Sequence, residues 1–115
     1  MNVALTDVVK PLVRRKIFAT EEDAIRTTMS EYILRHISAL HQEISQFENK
    51  YGMRFRQFGD YLHERSVLLT KGNISPEQRQ TLGQAIMLEE DDWLEWKASK
   101  EILESWIGLR EEAAL

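Results

Sequence analysis

Three histidines are the first residues to consider for acid–base or metal chemistry. His36 and His41 are five residues apart, whereas a helical metal site needs two ligands four apart on one face. His63 is followed by Glu64 but lacks the second histidine of the H-E-x-x-H motif. The chain also has no cysteine, nucleophile elbow or phosphate-binding glycine loop. We therefore predict structural or surface histidines, no metal or cofactor, and a binding protein rather than an enzyme.

Four consecutive acidic residues, Glu89, Glu90, Asp91 and Asp92, are the second candidate for chemistry. Carboxylate oxygens suit a hard cation such as magnesium. Consecutive side chains on a helix point in different directions, however, and cannot converge on one ion. The run is better placed as the acidic first turn of a helix that begins near Trp93, where it complements the helix dipole.

Five basic residues are candidates for nucleic-acid binding: Lys10, Arg14, Arg15, Lys16 and Arg26. They lie at the junction of two predicted helices, where a phosphate backbone could pass. Cations at a helix C-terminus also complement the dipole there. The sequence leaves both interpretations open.

Three tryptophans lie within 14 residues of an acidic C-terminal segment, at Trp93, Trp96 and Trp106. Tryptophan is enriched at the energetic centres of interfaces, but it also packs well in cores. With the adjacent acids Asp92 and Glu95, these residues are the candidate partner-binding set. The sequence alone does not separate an interface role from core packing.

Composition sets the broad class of the chain. Its 115 residues fit one helical domain, and 43% hydrophobic with 30% charged residues is typical of a folded protein. The absence of cysteine, of a signal peptide and of a long apolar run favours a cytoplasmic protein that does not enter a membrane. Residues 1–72 carry eleven basic and nine acidic side chains, whereas residues 73–115 carry four and ten. This asymmetry indicates either solvated surface or a division into a dimerising, DNA-facing part and an acidic, partner-binding part.

One long central helix is the clearest structural prediction. Thr20 can cap a helix that starts at Glu21, and apolar residues then recur three and four apart as far as Tyr51. Gly52 supplies the residue that ends it. A helix over residues 21–51 would be about 45 Å long. Its apolar stripe must therefore meet other helices or a second copy of the chain, and we expect a dimeric helical bundle.

Shorter helices are predicted on both sides of this element. The first segment contains Pro11, so it either forms a helix from about Thr6 or starts later, with residues 2–6 extended as a strand. Further helices are expected over residues 55–70, from Ser75 onward, and over residues 93–107 with Gly108 as the terminator. The prediction is an all-α fold of four to five helices.

Residues Val13–Arg26 resemble the helix–turn–helix portion of small bacterial antitoxins of the ribbon-helix-helix kind. In those proteins a short helix, a turn with an aromatic residue and a Ser/Thr cap lead into an Ala-Ile-Arg helix. The segment Asp92–Lys97 is similar to the acidic, tryptophan-containing tails with which such antitoxins hold their toxins. The resemblance implies a dimer that binds a protein toxin and operator DNA. The family's basic N-terminal strand is replaced here by the uncharged residues 2–6.

Two functional hypotheses follow. In the first, the chain is an antitoxin-like regulator that neutralises a basic partner, such as a nuclease toxin, and also binds DNA. In the second, it is a homodimeric scaffold or adaptor with no nucleic-acid role, for which the basic cluster is dispensable.

Overall fold

The computed structural model describes residues 5–113, which form four helices and contain no strand. They are α1 (Leu5–Arg14), α2 (Glu21–Tyr51), α3 (Phe55–Lys71) and α4 (Pro76–Ala113). The prediction of an all-α fold is confirmed. Residues 2–4 of the proposed strand lie outside the described residues, and residues 5 and 6 already belong to α1. The earlier of the two predicted helix starts is therefore the one observed.

Helix α1 ends in a left-handed residue that is not glycine. The N–H of Ile17 donates to the carbonyl of Leu12, and that of Lys16 donates to the carbonyl of Val13. This pair of bonds defines a Schellman motif, in which the residue at the turn needs a positive φ. Lys16 occupies that position with φ 59°. Pro11 lies beyond the first turn of the helix, where its missing N–H removes one helical hydrogen bond.

Helix α2 has the predicted boundaries. Its first turn is capped by Thr20, whose hydroxyl oxygen accepts a 3.1 Å hydrogen bond from the N–H of Asp23. At the other end Gly52 takes φ 62° and donates its N–H to the carbonyl of Glu48 at 2.8 Å. Only glycine adopts that conformation at little cost.

Helix α4 is continuous over 38 residues, so the prediction of separate fourth and fifth helices is wrong. Ser75 and Gln78 form the predicted capping box, with reciprocal bonds of 3.0 and 3.1 Å. The four-acid run does not start a new helix, because glutamate and aspartate cost little inside a helix when their charges are paired or solvated. Gly108 also lies inside α4, which extends to Ala113.

The described residues divide into two compact units, and α2 and α4 contribute to both. The first unit runs to Ser38 and resumes at Ser105, and the second is Ala39–Glu104. The boundary at residue 72 suggested by the charge asymmetry falls inside the second unit. None of the described helices is long and apolar enough to cross a membrane.

Each unit has its own buried side chains. The second unit is centred on Phe58 and Trp96, both 0% exposed, and on buried Leu62. Half-buried side chains, five of them aromatic rings and one a methionine, surround this centre: Ile44, Phe47, Tyr51, Met53, Phe55, Tyr61 and Trp93. The buried side chains of the first unit are smaller: Val9, Ala24, Ile33 and Ile37.

Candidate protein-binding surface

The inner side of α4 holds the core of the second unit together. Trp96 stacks on Phe47 and Phe58, with a ring-centroid distance of 5.6 Å in each case. Trp93 stacks on Phe55 at 5.5 Å. Aromatic pairs at these distances add about 0.5–1.5 kcal/mol each beyond the burial of their surface. This side of α4 is therefore fixed by packing.

Two polar bridges reinforce the same side of α4. Asp92 accepts a 2.6 Å bond from Nζ of Lys50 and a short hydrogen bond from the hydroxyl of Tyr51. Burial alone would raise the pKa of Asp92, but the bonds from Lys50 and Tyr51 and the charge of Lys50 outweigh it and lower the pKa. Burial and the neighbouring Asp92 carboxylate raise the pKa of Tyr51. Farther up the helix, Glu89 pairs with Arg65 at 3.0 Å.

The opposite side of α4 presents a row of apolar side chains to solvent. Met87, Leu94 and Ile102 are 67%, 57% and 49% exposed, and Ala98 lies exposed between the last two. Their spacings of seven, four and four place them on one face of a helix, since each residue turns the helix by about 100°. Other large apolar side chains of the chain are exposed too, but contiguous exposed apolar surface is the kind that marks interaction sites.

Carboxylates flank this row on both sides. By the same helical geometry Glu90 and Glu101 lie along one edge, and Asp91 and Glu95 lie along the other. We call the row and its acidic edges the outer face of α4. The segment from Met87 to Glu104 carries seven acidic and two basic side chains. The outer face is therefore apolar along its middle and net negative around it, with exposed Lys97 between Glu90 and Glu101 on one edge.

A groove between α3 and α4 opens beside the outer face. Its volume is about 340 Å³. Seven residues line it: Gly59, Leu62, His63, Ser66, Glu90, Trp93 and Leu94. Leu94 and Glu90 belong both to the groove and to the outer face. Gly59 places no side chain in the groove, and a Cβ there would stand at van der Waals distance, 3.5 Å, from Nε1 of Trp93.

The candidate partner-binding residues have different surroundings. Trp96 has no exposed surface, and Asp92 is engaged with Lys50 and Tyr51, so both support the fold. Trp93 is half-buried and lines the groove, and Glu95 is exposed on the outer face. Trp106 belongs to the first unit. Only Trp93 and Glu95 of this set are brought together with the outer face.

Trp106 forms a ring cluster of its own. It stacks in parallel on His36, with centroids 4.4 Å apart and planes 2° apart. Tyr32 meets both rings edge-on, at 4.5 Å from His36 and 5.9 Å from Trp106. His36 therefore has the structural role expected of it. No group of three or more potential metal ligands occurs in residues 5–113.

The basic candidates all lie on the surface of the first unit. Lys10 pairs with Asp7 at 2.7 Å, and Arg26 pairs with Glu22 at 2.8 Å. Arg14, Arg15 and Lys16 are exposed and make no ion pair with a described residue. These three are therefore the members of the cluster whose charges are open to a partner.

Sequence reasoning missed Met87, Leu94, Ala98 and Ile102. The signal was present as seven- and four-residue spacings, but it crosses the acidic run at which the chain was divided into two helices. When the chain is divided at the acidic run, the apolar face that continues through that run is not recognised.

Comparison of the chain with models of protein families, with curated proteins and with solved structures finds no match.

Proposed function

We propose that this chain is an antitoxin-like, non-catalytic regulator that binds a basic protein partner through the outer face of α4. The observation that carries the proposal is the exposed row Met87–Leu94–Ile102 between two acidic edges. Burying such a row stabilises a complex by roughly 25 cal/mol per Å² of apolar surface. The carboxylates select a partner of opposite charge and speed its approach.

The negative charge of the outer face favours a basic partner over a second copy of the chain. Two outer faces brought together would place like charges opposite each other, which costs free energy. A basic toxin, such as a nuclease with a cationic substrate-binding surface, has the complementary charge. Within the segment that resembles antitoxin tails, Trp93 and Leu94 line the groove and Glu95 is exposed on the outer face, and these three residues support the same assignment.

A co-expression experiment tests the proposal. The chain is produced in cells together with the product of the neighbouring gene, and growth is measured. Wild type should restore growth, and a triple variant of the outer face, Glu90→Gln with Asp91→Asn and Glu95→Gln, should not. A matched triple of exposed carboxylates in the first unit, Glu31→Gln with Glu111→Gln and Glu112→Gln, should protect like wild type. Failure of wild type to protect, or equal protection by both triples, would contradict the proposal.

DNA binding by the first unit is a second candidate function. It is favoured by the exposure of Arg14, Arg15 and Lys16 and by the absence of ion pairs to them from described residues. Three phosphate contacts would give a slope of about −3 in a plot of log affinity against log salt concentration. The duplex upstream of the gene is a suitable probe, and a triple alanine variant should not bind it.

The homodimeric scaffold makes the opposite prediction for these cations. If the chain is such a scaffold, the triple alanine variant keeps full partner binding. Sedimentation then gives a dimer whose stability is unchanged by the substitutions. A monomer in sedimentation would exclude the scaffold.

A further inference from the structure

The outer face of α4 offers a partner no backbone hydrogen bonds. All the N–H and C=O groups in its middle are used within the helix, which runs unbroken from Pro76 to Ala113. An extended segment lying on it would leave its own backbone groups unpaired as water is excluded. A helix satisfies its backbone internally, so a helix is the segment that this face can hold.

The length and edges of the face define that helix further. From Met87 to Ile102 the row extends about 22 Å, which a partner helix of about 15 residues matches. Ala98 is small and allows two helix axes to approach closely. Asp91 and Glu95 make one edge acidic, and Glu90 and Glu101 outweigh Lys97 on the other. The partner's apolar stripe should therefore be flanked by Lys or Arg, most strongly on the side that meets Asp91 and Glu95, as at the flanking positions of a coiled coil.

The groove beside Leu94 adds a pocket for one large side chain. Binding energy at interfaces is concentrated where an anchor residue fills a desolvated pocket, and an aromatic wall strengthens such a pocket. Trp93, Gly59 and Glu90 all line the groove. The Trp93 ring is held by its stack on Phe55 and by Lys97, whose Nζ lies 5.3 Å from the ring centroid, so it offers an anchor a fixed aromatic surface.

We infer that the outer face of α4 binds a basic amphipathic helix of its protein partner, whose leucine or aromatic anchor fills the groove between Gly59 and Trp93. The inference rests on the proposed function and adds to it the form of the partner's segment. It also makes Gly59 a specificity-determining position.

The test uses the full-length protein and a synthetic helical peptide of Leu and Lys, with leucines at heptad spacing. A scrambled peptide of the same composition is the control for charge alone. Binding is measured by fluorescence anisotropy at about 0.15 M salt, where long-range attraction is screened. Wild type should bind the patterned peptide at least about tenfold more tightly than the scrambled one, which corresponds to about 1.4 kcal/mol.

Two substitutions locate the anchor. Gly59→Leu fills the groove and should remove the preference for the patterned peptide, whereas Gly108→Leu, at a helical glycine outside the groove with open space around it, should keep it. Leu94→Ala removes an exposed side chain without touching the core and should weaken patterned binding severalfold, which keeps the test valid if Gly59→Leu does not fold. Circular dichroism verifies the helical content of each variant.

The outcomes distinguish this inference from the proposed function. Equal binding of both peptides, or no loss in Gly59→Leu and Leu94→Ala, would overturn the inference. If the outer-face triple variant still loses protection in cells, the proposed function stands without it. If that triple variant protects like wild type, the proposed function itself fails.

Discussion

The two units of this protein differ in the longest range of their polar bonds. In the second unit the polar bridges join distant parts of the chain: Lys50 and Asp92 are 42 residues apart, and Glu43 and Ser99 are 56 apart. In the first unit the caps and ion pairs of α1 and the start of α2 join residues three to six apart. The aromatic core of the second unit is also larger than the aliphatic set buried in the first. We therefore expect the second unit to carry most of the stability, and the first to depend on short-range bonds together with the stack of Trp106 on His36.

The largest expected loss in the free energy of unfolding comes from replacing Trp96, and Trp106 is the comparison. Trp96→Ala should lower the free energy of unfolding by about 4 kcal/mol, because it removes a fully buried ring and leaves a cavity. Trp106→Ala should cost about 1–2 kcal/mol, since that ring is half-buried and the loss is mainly its stack on His36. Guanidinium denaturation followed by circular dichroism measures both. Equal losses would break the comparison between the units.

A conservative variant checks the cause. Nε1 of Trp96 is buried and has no hydrogen-bond partner among the described residues. Trp96→Phe removes this N–H and keeps a ring against Phe47 and Phe58. It should therefore cost clearly less than Trp96→Ala, and an equal cost would show that packing is not the reason.

The same difference in range explains which parts of the fold the sequence predicts. The boundaries of α2 are readable because Thr20 and Gly52 act on residues within one turn of themselves. Glu89 and Asp92 look like an N-terminal turn when judged by their neighbours alone. Their partners, Arg65 and Lys50, lie 24 and 42 residues away in sequence. No local pattern reveals such pairing, so the continuity of α4 could not be predicted.

The next largest expected loss in the free energy of unfolding comes from replacing Asp92. Asp92→Asn removes the negative charge that accepts bonds from Lys50 and Tyr51, and should lower the free energy of unfolding by about 2 kcal/mol at neutral pH. Asp91→Asn, at the exposed neighbour, should stay within about 0.5 kcal/mol of wild type.

The Asp92 contribution should also depend on pH. The pKa of Asp92 is lowered in the folded state, so the unfolded state binds its proton more readily. The stabilisation is therefore complete above the ordinary pKa of about 3.8 and is lost as pH falls through the folded value. Urea unfolding between pH 6 and 2.5 should show a flatter acid slope for Asp92→Asn than for wild type; parallel slopes would contradict the assignment.

The smallest expected change in the free energy of unfolding is a gain, and it concerns Lys16 in the first unit. Lys16 holds φ 59° at the end of α1, a conformation that costs a residue with a Cβ about 1–2 kcal/mol. Lys16→Gly removes this cost but raises the conformational entropy of the unfolded chain. The free energy of unfolding should therefore rise by only about 0.5–1 kcal/mol. Arg15→Gly, one residue before the left-handed turn, should instead destabilise. Thermal denaturation of the two variants decides whether the local turn limits the stability of this unit.

The candidate surface was predictable only in its charge. The acidic character of the C-terminal half is plain in the sequence, and Glu95, a candidate partner-binding residue, is exposed in the structure. Which tryptophan is accessible was not predictable, because Trp93 and Trp96 differ by only three positions on one helix. The groove depends on Gly59 of α3 standing opposite Trp93 of α4, and that pairing exists only in the folded chain.

The left-handed turn at Gly52 has a consequence for the chain as it is synthesised. It folds α3 back so that the rings of Tyr51 and Phe58, seven residues apart, stack at 4.1 Å, and so short a loop closes at little entropic cost. Trp96 follows 38 residues after Phe58, which ribosomes take about 2–8 s to translate at about 5–20 residues per second. During that interval the corner of α2 and α3 has its aromatic side uncovered. A nascent chain stalled before Trp96 should therefore bind hydrophobic dyes or chaperones, and one released after α4 is complete should not.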